Sequence, residues 1–418
     1  MCSEMNTSAV LDDLSKVVDD RVRTAHAGDV IDGVQPKYVA SPSSADETAE
    51  LLRVAAHHHL HVVARGSGTK QGWGIPPQEL DLVLDTTAMS GVVEHAAGDL
   101  VTVVRAGTTL ADLRSVLARA DQQLALDAPF PSATIGGTVA TDTSGPRRVL
   151  YGTMRDLLIG ITFVRADGVI AKAGGKVVKN VAGYDFGKLL AGSYGTLGVI
   201  TEVVLRLHPL PKTKRVVTVE VADGEAAAQA ALSVLGSQVV PTAVDIDQPA
   251  DGPVTVAVLI EGVEAGVAAR VAATLQLLGP DGADGDAPQW FGRYPFGAHD
   301  VGIKITTNLM GIGPLLSVAH GLGVRHRVPV SVRGSAAGVL YAAIPGSTDS
   351  SDAAHLVEEL RALAATYDGS VVVLTAPADV RRALDVWGPV SGLDLMRRLK
   401  DQLDPDHRLS PGRFVGGI

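Results

Sequence analysis

The chain's first half is constrained most by glycine that recurs in three separated segments. The first, "ARGSGTKQGWG" (Ala64 to Gly74), follows the β run "HVVAR" and places Gly66, Gly68 and Gly72 within seven residues. Glycine admits positive φ and lets another group approach the backbone closely. Consecutive amides in such a loop can turn inward and form an anion-binding nest. A flexible surface turn would use the same residues. The second segment is "GGTVATDTSG", where Gly136 and Gly137 open a run of small hydroxyl residues ending at Ser144 and Gly145. The third is "GGKVVKNVAGYD", Gly174 to Asp185. Arg147, Arg148, Arg155, Lys172, Lys176 and Lys179 cluster around the last two. Taken alone, that clustering reads as a solvated basic face; combined with the glycine segments in a chain of net charge −10, it predicts a local site for an anion rather than nucleic-acid binding.

The 418 residues suffice for two or three domains with sizeable cores. At 46% hydrophobic and 20% charged residues the composition is that of a globular protein. Cys2 is the one cysteine, which excludes internal disulfides, a cysteine-ligated iron–sulfur cluster and a Cys-rich zinc site. The N-terminus shows no signal-peptide pattern, and no run of about 18 apolar residues suggests a spanning helix. The expectation is a cytoplasmic protein without metal.

Elements mix without regular βαβ alternation, which predicts an α+β fold. "SPSSADETAELLRVAAHHH" predicts a helix in which Ser44 and Glu47 have capping-box spacing. "LLIGITFVRADGVIAKAG" predicts a hairpin turning at Asp167-Gly168. From residue 212 the pattern β-α-β-β-α is followed by the Gly/Asp-rich loop "GPDGADGDAPQ" and then recurs, which predicts a duplicated ferredoxin-like domain. The expected division is an N-terminal extension over 1–30, a cofactor domain over 31–212, an α+β cap over 213–376, and a segment over 377–418 that packs back on the cofactor domain.

The loop Gly66-x-Gly68-x-x-x-Gly72 is not GxGxxG, and the sequence has no GxxxxGK[ST]. Neither a Rossmann nor a Walker A loop is supported, and a dinucleotide held mainly by loops fits better. Residues 31–212 resemble the PCMH-type FAD-binding domain of the vanillyl-alcohol oxidase superfamily, through "RGSGTK", "PSATIGGTVATDTSG" and "GSYGTLGVITEVVLRLHP". "TSGPRRVLYGTMRDLLIG" and "GGKVVKNVAGYDFGKLLAGSYGTLGVITE" resemble, more narrowly, the FAD-binding subunits of glycolate oxidase, and the closing "SPGRF" adds a weaker likeness. The resemblance implies that Arg65, Gly66, Ser67, Gly68, Thr69 and Lys70 lie along the FAD pyrophosphate. Gly136, Gly137, Thr141, Ser144 and Gly145 would run along the pyrophosphate and isoalloxazine, and Gly198 and Ile200 near the ring system or adenine. Ile200 reads equally well as a strand-core residue. Covalent members carry a His near the place of Thr69. Without His or Cys in this loop, a dissociable FAD is expected.

Relatives that oxidise D-2-hydroxy acids carry HAGDGNLH in the cap and a later EHGIG. The comparable stretch here is "GSAAGVLY", with Gly334 and Tyr341 in place of the two histidines. "AHGLG" lies before it rather than after, and His320 reads as a helix-end residue. The histidines of "HHHLH" (His57, His58, His59, His61) cannot share one face of a helix, so they predict a surface helix end rather than a metal site. No catalytic residue can be assigned. The resemblance therefore implies an FAD-bearing subunit of a glycolate oxidase-like complex acting on a small 2-hydroxy acid, beside a second FAD subunit and an iron–sulfur subunit. The competing readings are a self-sufficient flavoenzyme using Tyr151, Tyr184, His320 or Arg333, and a non-redox subunit kept for assembly.

Overall fold

The computed structural model describes residues 2–127, 129–176 and 184–418. Helix α1 (Cys2–Val18) lies against α2 (Ala45–His57). Ser44 caps α2, its hydroxyl accepting the amide of Glu47 at 3.1 Å. The capping box is not closed, because the Glu47 carboxylate instead accepts the Ser43 amide and pairs with Arg21. These helices cover a four-stranded sheet of β1 (Val22–Thr24), β2 (Tyr38–Ala40), β3 (Val62–Arg65) and β4 (Leu82–Asp85), in the order β1-β2-β4-β3. Strands β2 and β3 run parallel to β4, and the β3 chain leads directly into the first glycine loop.

A five-stranded antiparallel sheet follows, built from β5 (Val92–Ala96), β6 (Val101–Arg105), β8 (Leu158–Val164), β9 (Ile170–Gly174) and β10 (Val199–Arg206), in the order β5-β6-β10-β8-β9. The short strands β7 (Gln122–Gln123) and β11 (His208–Pro209) pair beside it. Strands β8 and β9 form the expected hairpin, with Gly168 at φ +76° in its turn. Helix α3 (Leu110–Ala118) and the short helices α4 (Ile135–Ala140), α5 (Arg148–Tyr151), α6 (Met154–Leu157) and α7 (Phe186–Leu190) fill the connections. The sequence pattern gave no sign of α4. Its start is set by Thr134, whose hydroxyl accepts the Gly137 amide at 3.3 Å.

The second half is one eight-stranded sheet made of two βαββαβ units. In the first, β12 (Thr213–Val221), α8 (Gly224–Leu235), β13 (Ala243–Gln248), β14 (Val254–Gly262), α9 (Glu264–Leu278) and β15 (Ala283–Gly285) follow one another. The second repeats the order with β16 (Val301–Thr306), α10 (Ile312–His326), β17 (Ser331–Ser335), β18 (Val339–Ile344), α11 (Ser350–Ala365) and β19 (Ser370–Thr375). The sheet order β15-β12-β14-β13-β17-β18-β16-β19 joins the units edge to edge through β13 and β17. The predicted duplication is present. The Gly/Asp-rich stretch expected to be loop contributes β15, whose three exposed residues are strand only because they pair with β12. His320 lies within α10 rather than at its end.

Helices α12 (Ala378–Ala383) and α13 (Leu393–Leu403) lead to a tail that returns to the first half. Val62 donates to the Arg408 carbonyl and Ser410 donates to the Val62 carbonyl, both at 2.8 Å. Lys400 is fully buried and spends its three protons on Asp404 Oδ2 (2.6 Å), Thr196 O (2.8 Å) and Leu409 O (2.9 Å). No helix among the described residues is long and apolar enough to cross a membrane.

Candidate functional site

The loop after β3, helix α4 with its C-cap, and the entry into β10 converge on one cavity. Arg65, Gly66, Ser67, Gly68, Thr69 and Lys70 line it from the first, Gly136, Gly137 and Thr141 from the second, and Gly198 and Ile200 from the third. Close packing explains two of these glycines. A Cβ on Gly66 would stand 2.1 Å from the Thr134 hydroxyl oxygen, and one on Gly136 2.8 Å from the Ala106 Cβ. Gly68 is different: it sits at φ +75° with nothing nearer than 3.9 Å, so its requirement is backbone conformation. Among the described residues the amides of Ser67, Gly68 and Thr69 meet no backbone acceptor.

The charge in this cavity comes from residues other than the predicted basic cluster. Arg65 is already paired with Asp85 at 3.0 Å. Lys70 has no carboxylate partner among the described residues. Its ammonium stands 5.7 Å from the Phe130 ring, and burial lowers its pKa to about 8. Arg413, from the tail, is 4% exposed, and burial lowers its pKa. Its Nη2 donates to the carbonyls of Gln71 and Trp73 at 2.6 and 3.0 Å, while its buried Nη1 has no acceptor among the described residues. Free amides, an ammonium whose one hydrogen bond among the described residues is a 3.5 Å contact to the Thr69 hydroxyl, and an orphaned guanidinium nitrogen lining one cavity are the donor set of an anionic ligand.

Ser144 and Gly145 do not reach this cavity. They line a neighbouring one with Arg148, Asp245, Arg333 and Tyr341. The Ser144 hydroxyl accepts the Met154 amide at 2.8 Å, and a Cβ on Gly145 would stand 2.5 Å from the Asp127 Cβ. The basic cluster is dispersed. Arg147 binds Glu261 across the domain boundary at 2.8 Å, and Lys176 pairs with Glu94. Of the third glycine segment, Val177 to Gly183 with Lys179 lies outside the described residues.

The other candidates are also scattered. Tyr151 packs on His208 at 4.5 Å, Tyr184 is 88% exposed, and His320 is exposed on α10. Arg333 pairs with Asp247 at 2.7 Å. His58 contacts Asp13 at 2.9 Å, and His61 contacts Glu79 and Asp81 at 3.0 and 3.1 Å. Thr86, Thr134, Tyr194, Gly195 and Arg413 line the cavity without having been singled out by the sequence. Thr134 was detectable as an N-cap three residues before Gly137, and Arg413 lies in the quoted "SPGRF".

Comparison with known proteins agrees with this arrangement. Residues 36–174 match the family described as FAD binding domain, and residues 387–414 match FAD linked oxidases, C-terminal domain. The chain is 36% identical over 220 residues to glycolate oxidase subunit GlcD of Bacillus subtilis, covering 51% of this chain and 46% of that protein. It is 36% identical over 184 residues to glycolate oxidase subunit GlcE of Escherichia coli, covering 44% and 52% respectively. The chain thus spans about half the length of these relatives. Its fold is shared with 4-ethylphenol oxidase from Gulosibacter chungangensis (TM-score 0.74, 14% identity, 98% of this chain and 97% of that one). Alkyldihydroxyacetonephosphate synthase shares it too (TM-score 0.73, 18% identity, 97% and 84%).

Proposed function

We propose that this chain, which carries the FAD-binding domain and a C-terminal segment of the FAD-linked oxidoreductases, binds one FAD non-covalently and takes part in oxidising a 2-hydroxy acid as a subunit of a glycolate oxidase-like complex. The observation that carries the reading is the convergence of Gly66–Lys70, Gly136, Gly137 and Arg413 on a single cavity. Bound there, FAD would supply a two-electron acceptor for the substrate's hydride. The amides of Ser67, Gly68 and Thr69 would hold the pyrophosphate, with Lys70 and Arg413 balancing its charge. The lack of His or Cys between Arg65 and Gly72 supports a dissociable cofactor.

Two observations favour division of labour with partners. Gly334 and Tyr341 stand where the resembling hydroxy-acid dehydrogenases carry histidines. A Cβ on Gly334 would stand 2.4 Å from the Val339 carbonyl oxygen, so an imidazole is excluded there by packing as well. Loss of a general base costs about 10²–10⁴-fold. With one cysteine, electrons must leave through another subunit or a small acceptor.

The test is the absorbance spectrum and flavin stoichiometry of the purified chain, followed by acid precipitation. About one FAD per chain, released into the supernatant, is expected. Stopped-flow reduction of the flavin by glycolate or D-lactate should be slow in the chain alone. Reduction at roughly 1–10³ per second would instead make this chain the complete dehydrogenase.

A further inference from the structure

A second cavity adjoins the first, sharing Thr141 and Tyr194 with it, and lies between the first half and the cap sheet. Its floor includes three cross-strand partners, Tyr341 on β18, Lys304 on β16 and Val372 on β19, and the same row continues outside the cavity through Arg333 on β17 and Asp247 on β13. Directly opposed residues share a face of the sheet. The charges in this row are unequally satisfied. Arg333 is held by Asp247 and by the Tyr294 carbonyl at 3.2 Å. Lys304 has no ion pair or hydrogen bond among the described residues. Asp142, at φ +43° on the opposite wall, accepts the Arg155 amide at 3.2 Å; burial raises its pKa, and Lys304 is the strongest charge opposing that rise.

The remaining wall is aromatic. Trp73 and Tyr294 lie 6.0 Å apart, Tyr294 and Tyr341 4.6 Å, and Trp387 and Phe414 4.8 Å. Trp387 is 7% exposed, and its indole N–H finds no acceptor among the described residues. A buried donor without a partner costs free energy that an incoming oxygen would recover.

We infer that this cavity binds a 2-hydroxy acid with a bulky apolar or aromatic side chain, Lys304 and the Trp387 N–H holding its carboxylate and Asp142 accepting its hydroxyl proton in a hydrogen bond. The inference deepens the proposed function and rests on it for the identity of the neighbouring cofactor. Glycolate leaves the aromatic wall unused, whereas a phenyl group would cover it.

The experiment is a titration of the purified chain with mandelate, glycolate and the uncharged mandelamide, followed by tryptophan fluorescence without oxygen. Flavin content is measured separately, so a chain that lacks FAD but binds mandelate would overturn the cofactor reading alone. Mandelate should bind at least tenfold more tightly than glycolate and than mandelamide, the worth of burying a ring and of a hydrogen bond to a charged group. Lys304→Met should weaken mandelate about ten- to a hundredfold while leaving mandelamide unchanged, and Lys304→Arg should recover most of the loss. Equal affinity for mandelate and glycolate, or for mandelate and mandelamide in the unaltered chain, overturns the inference. So does a folded Lys304→Met that binds mandelate normally.

Discussion

Asp245 offers a sharp test of how burial governs stability inside the cap. It sits on β13, 1% exposed, and its carboxylate accepts the Gly292 amide at 3.0 Å. Burial raises its pKa to about 7, with Asp127 and Asp247 adding to the rise and Arg333 opposing it. From the ordinary value of 3.8 the full displacement corresponds to about 4 kcal/mol, at 1.36 kcal/mol per unit. The sign is fixed by linkage. The folded state keeps a proton that the unfolded state releases, so stability falls as pH rises from about 4 to about 7, and the cost is complete above that. Asp245→Asn keeps the acceptor for Gly292 and removes the titration. The variant's gain over the parent should be larger near pH 8 than near pH 5 by roughly 2–3 kcal/mol. Urea unfolding followed by tryptophan fluorescence measures both, with Trp290 near the site against Arg333. An equal gain at both pH values would show that the effect is packing. No gain at about pH 8 would show that Asp245 is already solvated or stably paired.

The cradle gives a graded glycine series. Gly66→Ala, which forces a Cβ to 2.1 Å from Thr134 Oγ1, and Gly68→Val, which strains φ +75° by about 1–3 kcal/mol, should both lose FAD, while Gly72→Ala meets nothing within 4 Å and should keep it, as read by flavin-to-protein absorbance. Lys70 becomes more basic when an anion binds, so binding takes up a proton above its free pKa of about 8. FAD affinity should therefore fall as pH rises past that value, and Lys70→Met should bind more weakly and lose this dependence in fluorescence titrations. Lys400→Met leaves Asp404 charged and unpaired in the interior, which should cost about 3–5 kcal/mol in denaturant unfolding and release the tail that carries Arg413.

Features carried by neighbouring residues were legible in the sequence. The hairpin turn at Asp167-Gly168 needs one residue with positive φ, and glycine announces it. The duplicated cap was visible because each strand of its interior alternates or runs apolar over its own length, as Val254 to Ile260 do. Where a partner decides, the sequence was silent. Strand β15 is polar and exposed, and only the edge of β12 makes it a strand. Arg147 and Lys176 looked like parts of one anion site, yet each is neutralised by a carboxylate far away in sequence, Glu261 and Glu94. Lys70, in contrast, lines the cavity with the rest of its loop, and only the structure shows that no carboxylate among the described residues pairs with it.

The first half touches the cap at two chemically different places, and the difference assigns them different tasks. At one, Arg147 bridges Glu261 of β14 and Asp127 of the first half at 2.8 and 3.3 Å, and its amide also donates to Asp127 at 2.8 Å. The charges there answer one another, so the contact fixes the cap's position. At the other, along the adjoining cavities, the Trp387 N–H and the Arg413 Nη1 have no acceptor, and the Lys304 ammonium no ion pair, among the described residues. Unsatisfied donors are costly to bury, whereas the buried Lys400 ammonium places all three of its protons. Ligands of the kind proposed for the joined cavities would complete the unpaired donors. Duplication of the βαββαβ unit makes both contacts possible. Its first unit carries Glu261 for anchoring, and its second carries Tyr341 and Lys304 over the cavity beside the glycine cradle.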